Sequence, residues 1–212
     1  MSDQRQPIRA HIERHLGPVA QTFREPVTDG PSIDIHRVAA TVERPVHTLV
    51  TAGMSDLPMP GAGNSKAPRY LELMMTLPRD WNFEDAPKSK GTGHWPIRLL
   101  TQLARQPQLQ KTSLGWGQIV PHGDPPAPYA PGTELCGVIV APSLLVPTEF
   151  YELDLGARHI EFYSAIPLYR EEMALHAEKG MEFLLSTLID RGHNDLVDPR
   201  RKNVAKKFLG LF

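Results

Sequence analysis

The segment Gly53-Met54-Ser55-Asp56-Leu57 is the part of the sequence that most resembles a nucleophile motif. A G-x-S-x-G elbow places its serine on a sharp strand-to-helix turn. It needs the final glycine so that helix and strand can pack around that turn. Here Leu57 and Pro58 stand where the glycine and the helix should begin. One reading is a hydrolase using Ser55, with Asp56 or His94 assisting. The other is a turn in which Ser55 and Asp56 bond nearby backbone amides, and the failed context favours it.

The other candidates are weaker. His11 and His15 lie four apart on a helical segment and could clamp a metal, but Ile12 occupies the place where a metalloprotease needs Glu, and no third ligand is nearby. Histidines on an exposed helix face are the expectation. Gly61-Ala62-Gly63-Asn64-Ser65-Lys66 lacks the phosphate-loop spacing and runs into proline, and Gly115-Trp116-Gly117 fails the dinucleotide pattern. Cys136 sits in the apolar run Leu135 to Val140, where a thiol behaves as a small hydrophobe. Arg200, Arg201, Lys202, Lys206 and Lys207 read as the solvated face of a docked terminal helix. Trp81, Trp95 and Trp116 all fall at loops or element ends, where tryptophan closes cores and also anchors protein interfaces.

These residues belong to a chain of ordinary globular composition: 212 residues, 41% hydrophobic, 22% charged, net charge −1. That size can bury roughly 70% of the unfolded surface in one core. The near-zero charge gives no field to recruit nucleic acid or an anionic membrane. One cysteine rules out a disulfide framework. No basic n-region with an apolar run opens the chain, and no stretch approaches the ~20 apolar residues of a bilayer span, so a cytoplasmic location is expected.

The 21 prolines punctuate the sequence and divide it into elements. Pro7 opens a helix with Ile8, Ile12 and Leu16 on one face, closed by Gly17-Pro18. Strands are expected at Val19 to Arg24, Ile33 to Val38, Val46 to Thr51, Tyr70 to Leu77, Gly115 to Val120, Leu135 to Val140, Phe150 to Leu153 and Ile160 to Ile166. Asp29-Gly30-Pro31 is a turn. The Tyr70 strand is apolar on both faces except for Glu72, which marks a central strand. His94-Trp95-Pro96 opens a helix that Pro107 should end. A long helical stripe of Met173, Ala177, Met181, Leu184 and Leu188 follows, breakable at Gly180 and capped by Gly192. Asp198-Pro199 should begin a terminal helix carrying Val204, Phe208, Leu211 and Phe212. Without strict βαβ alternation, a mixed, largely antiparallel α+β sheet flanked by helices is the expected fold. It forms one domain over residues 1–212, with a C-terminal helix or tail from residue 193.

Several segments together resemble a known family. They are Thr48 to Met59 (TLVTAGMSDLPM), Leu71 to Pro78 (LELMMTLP) followed by Trp81, Trp95-Pro96-Ile97 with Leu103-Ala104-Arg105, Leu135-Cys136-Gly137-Val138, and Ile166-Pro167-Leu168-Tyr169 with Glu171-Glu172. In this order and spacing, from about Val46 to Leu188, they look like the bacterial suppressor of fused (SUFU)-like domain. The resemblance implies a single mixed-sheet domain, no catalytic residues, no cofactor and no metal. It also implies a protein partner: animal relatives sequester a transcription factor, and bacterial members are proposed to neutralise polymorphic toxins as immunity proteins.

A non-enzymatic protein-binding domain is therefore the expected function. The alternatives are the Ser55 hydrolase and a structural or regulatory homodimer docking through Leu209 and Leu211-Phe212. The expected partner surface joins Met54, Ser55 and Asp56, in the loop reaching Met59, with Trp81, His94 and Trp95. Nucleic acid and membrane are not expected partners, and the oligomeric state is monomer or homodimer.

Overall fold

A computed structural model describes residues 5–24, 30–62, 67–83 and 92–206. The first helix, α1 (Gln6–His15), has proline in its first turn and buries Ile8 and Ile12. Three antiparallel strands follow: β1 (Val19–Arg24), β2 (Asp34–Val38) and β3 (Val46–Ala52). After β3 come β4 (Tyr70–Pro78), α2 (Trp95–Gln110), β5 (Ile119–Pro121), β6 (Gly137–Ala141), β7 (Glu152–Asp154), β8 (His159–Leu168), α3 (Arg170–Lys179) and α4 (Met181–Asp190).

The described strands form one sheet in the order β1-β2-β3-β4-β8-β6-β5, with β7 on the first part of β8. Only β4 and β8 pair in parallel; every other pair is antiparallel. This is the mixed, mainly antiparallel α+β fold read from the sequence. Alternation along each strand divides the core in two. Leu71, Leu73, Met75 and Leu77 of β4 face α2, as do Leu49 of β3 and Val138 and Val140 of β6. Val50 and Met74, with Ile160 and Phe162, face α1, while Ile139, Ile166 and Leu168 face α3 and α4. The sheet is thus covered on both sides, and β4 is buried along nearly its whole length.

The boundaries differ from the sequence expectation where a local signal was outvoted. Pro107 lies inside α2. A proline there forfeits its own donor and crowds the Leu103 carbonyl, a cost offset by the buried face of α2 to which Pro107 itself belongs. Its carbonyl still accepts from the Lys111 amide, and Lys111 closes the helix in the left-handed region at φ 55°. The Gly115 strand shrinks to β5, and Thr148–Phe150 forms a short 3-10 turn before β7. Gly180, at φ 88°, breaks the expected stripe into α3 and α4; of its members Leu184 and Leu188 are buried, Met173 and Met181 are half-buried and Ala177 is exposed, and α3 buries Leu175 instead. The Asp29 and Gly63-to-Lys66 expectations, and Phe208 to Phe212, fall outside the described residues.

Two findings correct the solvated-face readings at single residues, His11 and Arg201, while Arg200, Lys202 and Lys206 are exposed as expected and Lys207 lies outside the described residues. His11 is not exposed: it is stacked on Phe150 and Phe162 at centroid distances of 5.0 and 5.2 Å, with Nε2 3.1 Å from the Phe150 carbonyl. Among its group only His15 keeps partial exposure. Asp198-Pro199 opens a turn, with Asp198 Oδ1 accepting from the Arg200 amide, and no helix follows through residue 205. Arg201 then turns inward. Its guanidinium forms a two-pronged ion pair with Glu172, and donates to the Pro167 carbonyl. Glu172 is completely buried and also accepts from the Tyr169 and Val204 amides, so it caps α3 and ties down the last described turn at once.

A buried ion pair tolerates loss of both charges better than loss of one. Arg201→Met is expected to destabilise the fold by about 3–5 kcal/mol, by leaving Glu172 charged and alone, while the double change Arg201→Met with Glu172→Gln recovers much of that. Urea unfolding of the two variants measures the difference.

Candidate functional site

Ser55 sits in the turn that ends β3. The ladder between β3 and β4 stops at Val50 and Met74. Beyond it, Thr51 Oγ1 takes the place of a backbone acceptor for the Leu73 amide (2.8 Å) and donates to Glu72 Oε2 (2.5 Å). Glu72 Oε1 accepts from the Gly53 amide, the Ser55 amide and Ser55 Oγ at 3.0, 3.0 and 2.6 Å. The lone acid in the apolar strand is therefore a clamp for the turn. Its desolvation raises its pKa above the usual carboxylate value, and the four donors offset this only in part.

The same turn is held from outside. Arg5 donates to Asp56 Oδ2 (2.8 Å) and to the Ser32 carbonyl (2.6 Å), and Arg158 reaches the Ser55 carbonyl. Gly53 adopts φ 125°, and a Cβ there would lie 2.5 Å from the Ser32 oxygen. The glycine that fits the elbow pattern is thus required for clearance under Arg5. Ser55 has no exposed surface, and its hydroxyl is committed to Glu72. His94 instead bonds the Phe83 carbonyl through Nε2 at 2.8 Å.

The six residues expected to form one partner surface occupy two places. Met54 and Ser55 are buried, and Asp56 is half-buried under Arg5. Their loop abuts the far end of α2, where Gln108 donates to the Pro58 carbonyl. Trp95 opens α2 at the other end, roughly 20 Å away along the helix axis. Trp95 is itself buried, stacked on Tyr129 at 5.0 Å and meeting the edge of Trp81 at 6.0 Å. Trp81 is half-buried and donates from Nε1 to the Gly93 carbonyl.

Around Trp81 lies a cleft of about 620 Å³, beyond the end of β4. Trp81 and Trp95 form one wall with Asp80, and the strap Leu196 to Arg200 forms another. The strap was not legible as a structural element. It fills the fork where β8 parts from β4: Leu196 bridges to Thr76, and the Val197 amide donates to the Thr76 carbonyl. Asp195 anchors it, buried and accepting from Ser143 Oγ, Ser164 Oγ and the Leu144 amide. A smaller apolar pocket of about 250 Å³ lies between Trp116, Leu144 and Ile189. Cys136 is buried, and burial pushes its thiol pKa up. Among the described residues no three His, Cys, Asp or Glu side chains are placed to hold a metal, and no helix is long and apolar enough to cross a membrane.

Because folded Glu72 holds its proton more tightly than the unfolded chain does, its contribution to stability is complete below the ordinary value of 4.5. It is lost as pH rises through the raised folded value. The stability of the native chain relative to Glu72→Gln is therefore expected to grow on acidification in a urea series taken downward from neutral pH, an effect opposite in sign to that of His11, His36, His47 and His193, whose lowered pKa values cost stability as the pH falls. Glu72→Leu, which strands two buried amides, should cost about 3 kcal/mol or more.

Comparisons with known proteins bear on this fold. The family model for the suppressor of fused protein (SUFU) matches residues 29–202, a wider span than the sequence segments suggested. A crystal structure of a SUFU homologue from Neisseria gonorrhoeae superposes with a TM-score of 0.67 at 14% identity, covering 95% of this chain and 97% of that one. The Sufu–Fu complex structure gives 0.67 at 14% identity, covering 98% of this chain and 94% of the other. Drosophila Suppressor of Fused gives 0.56 at 16% identity, with 84% of this chain aligned to 44% of that larger chain. A comparison with curated protein sequences returns no match. The structural neighbours share the fold, the family match spans most of the sequence, and the chain belongs to the suppressor of fused family.

Proposed function

We propose that the chain is a non-enzymatic protein-binding module, and that its partner is a toxin domain which it neutralises by holding it. Membership of the suppressor of fused family is the observation that carries this reading. A structural neighbour solved as the Sufu–Fu complex supports a protein as the ligand. The enclosure of Ser55 and the commitment of its hydroxyl to Glu72 support binding over hydrolysis, since a nucleophile must reach its substrate. The docking surface in this reading is the Trp81 cleft, where an aromatic side chain borders the exposed acids Asp80 and Asp198 and the exposed Arg200.

Affinity capture with the tagged chain from its native host tests the proposal. The expected result is a specific protein, encoded beside this chain, whose toxicity on expression is suppressed by co-expressing it. Recovery of no specific protein would sink the reading. Trp81→Ala should weaken capture roughly tenfold or more with the fold retained by circular dichroism, whereas Trp116→Ala at the separate apolar pocket should not.

A further inference from the structure

Two buried histidines lie on the two sides of the contact between α1 and the sheet. His11 belongs to the helix and packs on Phe150 and Phe162. His36 belongs to β2. It stands opposite Val50 of β3, on the face where Val38, Val50 and Ala52 join the core beneath α1.

Both places suit a neutral ring. His11 Nε2 donates to the Phe150 carbonyl, so a second proton must go to Nδ1. The charges that act on this ring are Arg14 and His15 of the same helix, His15 at a centroid distance of 4.6 Å, and no carboxylate among the described residues opposes them. Phe150 and Phe162 offer it only rings and one carbonyl. His36 Nδ1 lies 2.9 Å from Thr22 Oγ1. Asp34 of β2 and Glu13 of α1 favour a positive His36, while Arg9 of α1 and Arg24 of β1 oppose it. Asp34 is already engaged by Arg5 and Arg24. Glu72 of β4 shares this face but is enclosed by its own four donors. Burial is the main cause that holds both imidazoles below the ordinary value of 6.5.

α1 is also free to move without the strands. It takes no part in the sheet's ladder. Ile8, Ile12, Leu16 and the ion pairs of Arg5 with Asp34 and Asp56 fasten it. An element held by side chains opens at lower free energy than a strand inside a ladder.

We propose that α1 is a proton-released cover: acidification charges His11 and His36, and the helix leaves the sheet while the strands stay paired. In the released state both rings carry their charge in water. The face uncovered is apolar, built from Val38, Val50, Met74, Phe150 and Phe162. It lies across the sheet from α2 and the Trp81 cleft, so the device is independent of the toxin-binding proposal.

Hydrogen exchange of the full chain, read by mass spectrometry from about pH 7.5 to about pH 5 and referred to intrinsic rates at each pH, tests the inference. Below about pH 6.5, protection of residues 8–16 should fall by up to roughly tenfold per pH unit for each histidine that gains a proton on release, and further than that of β4. His11→Leu should reduce this slope, and adding His36→Gln should reduce it again. Ile12→Ala loosens the helix without removing a titrating group, so it should lower protection by one factor at every pH and keep the slope. Protection of α1 that does not change with pH would overturn the proposal. So would a loss shared equally by α1 and β4, which is unfolding of the whole domain, or a slope that His11→Leu leaves intact.

Discussion

β4 is buried on both faces and flanked by strands on both edges, so any polar group on it must find its partner inside the protein. Glu72 meets this constraint by gathering four donors, three of them from the turn that follows β3. The turn therefore has little freedom of its own. Its serine, its glycine and its aspartate are each committed to holding β3, β4 and the start of α1 in register. Ser55, the residue that suggests a nucleophile, is a structural donor, and the same buried acid explains both the serine and the glycine beside it.

A second set of buried charges works at the other end of the chain. Asp195 and Arg201 fasten the two ends of the strap, the first to Ser143 and Ser164 and the second to Glu172. Between these anchors the backbone completes the sheet beside β4 and forms a wall of the Trp81 cleft. The shape of the surface assigned to partner binding thus depends on ion-pair and hydrogen-bond geometry well inside the domain. The desolvation of a buried pair such as Arg201 and Glu172 offsets much of its attraction, so its net contribution to stability is small while removal of one partner is costly.

Much of this architecture could be read from residue order. Pro7 and the Ile8, Ile12, Leu16 spacing gave α1, the two-faced apolar run gave β4 as a central strand, and Gly180 marked the break between α3 and α4. Glu72 stood out as the one acid in that run. What stayed hidden depends on contacts between residues distant in the chain. Nothing near Arg201 announces that Glu172 will be within reach, so a basic cluster reads as solvated. Nothing near Asp195 announces Ser143 and Ser164. The six expected surface residues were grouped because their types suit an interface. Local signals do not reveal that α2 separates them, or that Met54, Ser55 and Trp95 point inward.

The parallel contact between β4 and β8 bears on how the molecule is made. The strands meet only after the whole segment between Pro78 and His159 has been synthesised. Until then β4 has a neighbour on one edge only, and its apolar faces lack part of their cover. A contact so distant along the chain closes slowly, and a nascent chain in that state is vulnerable to sticking to others. Chain connectivity thus leaves the central strand half-covered until β8 arrives.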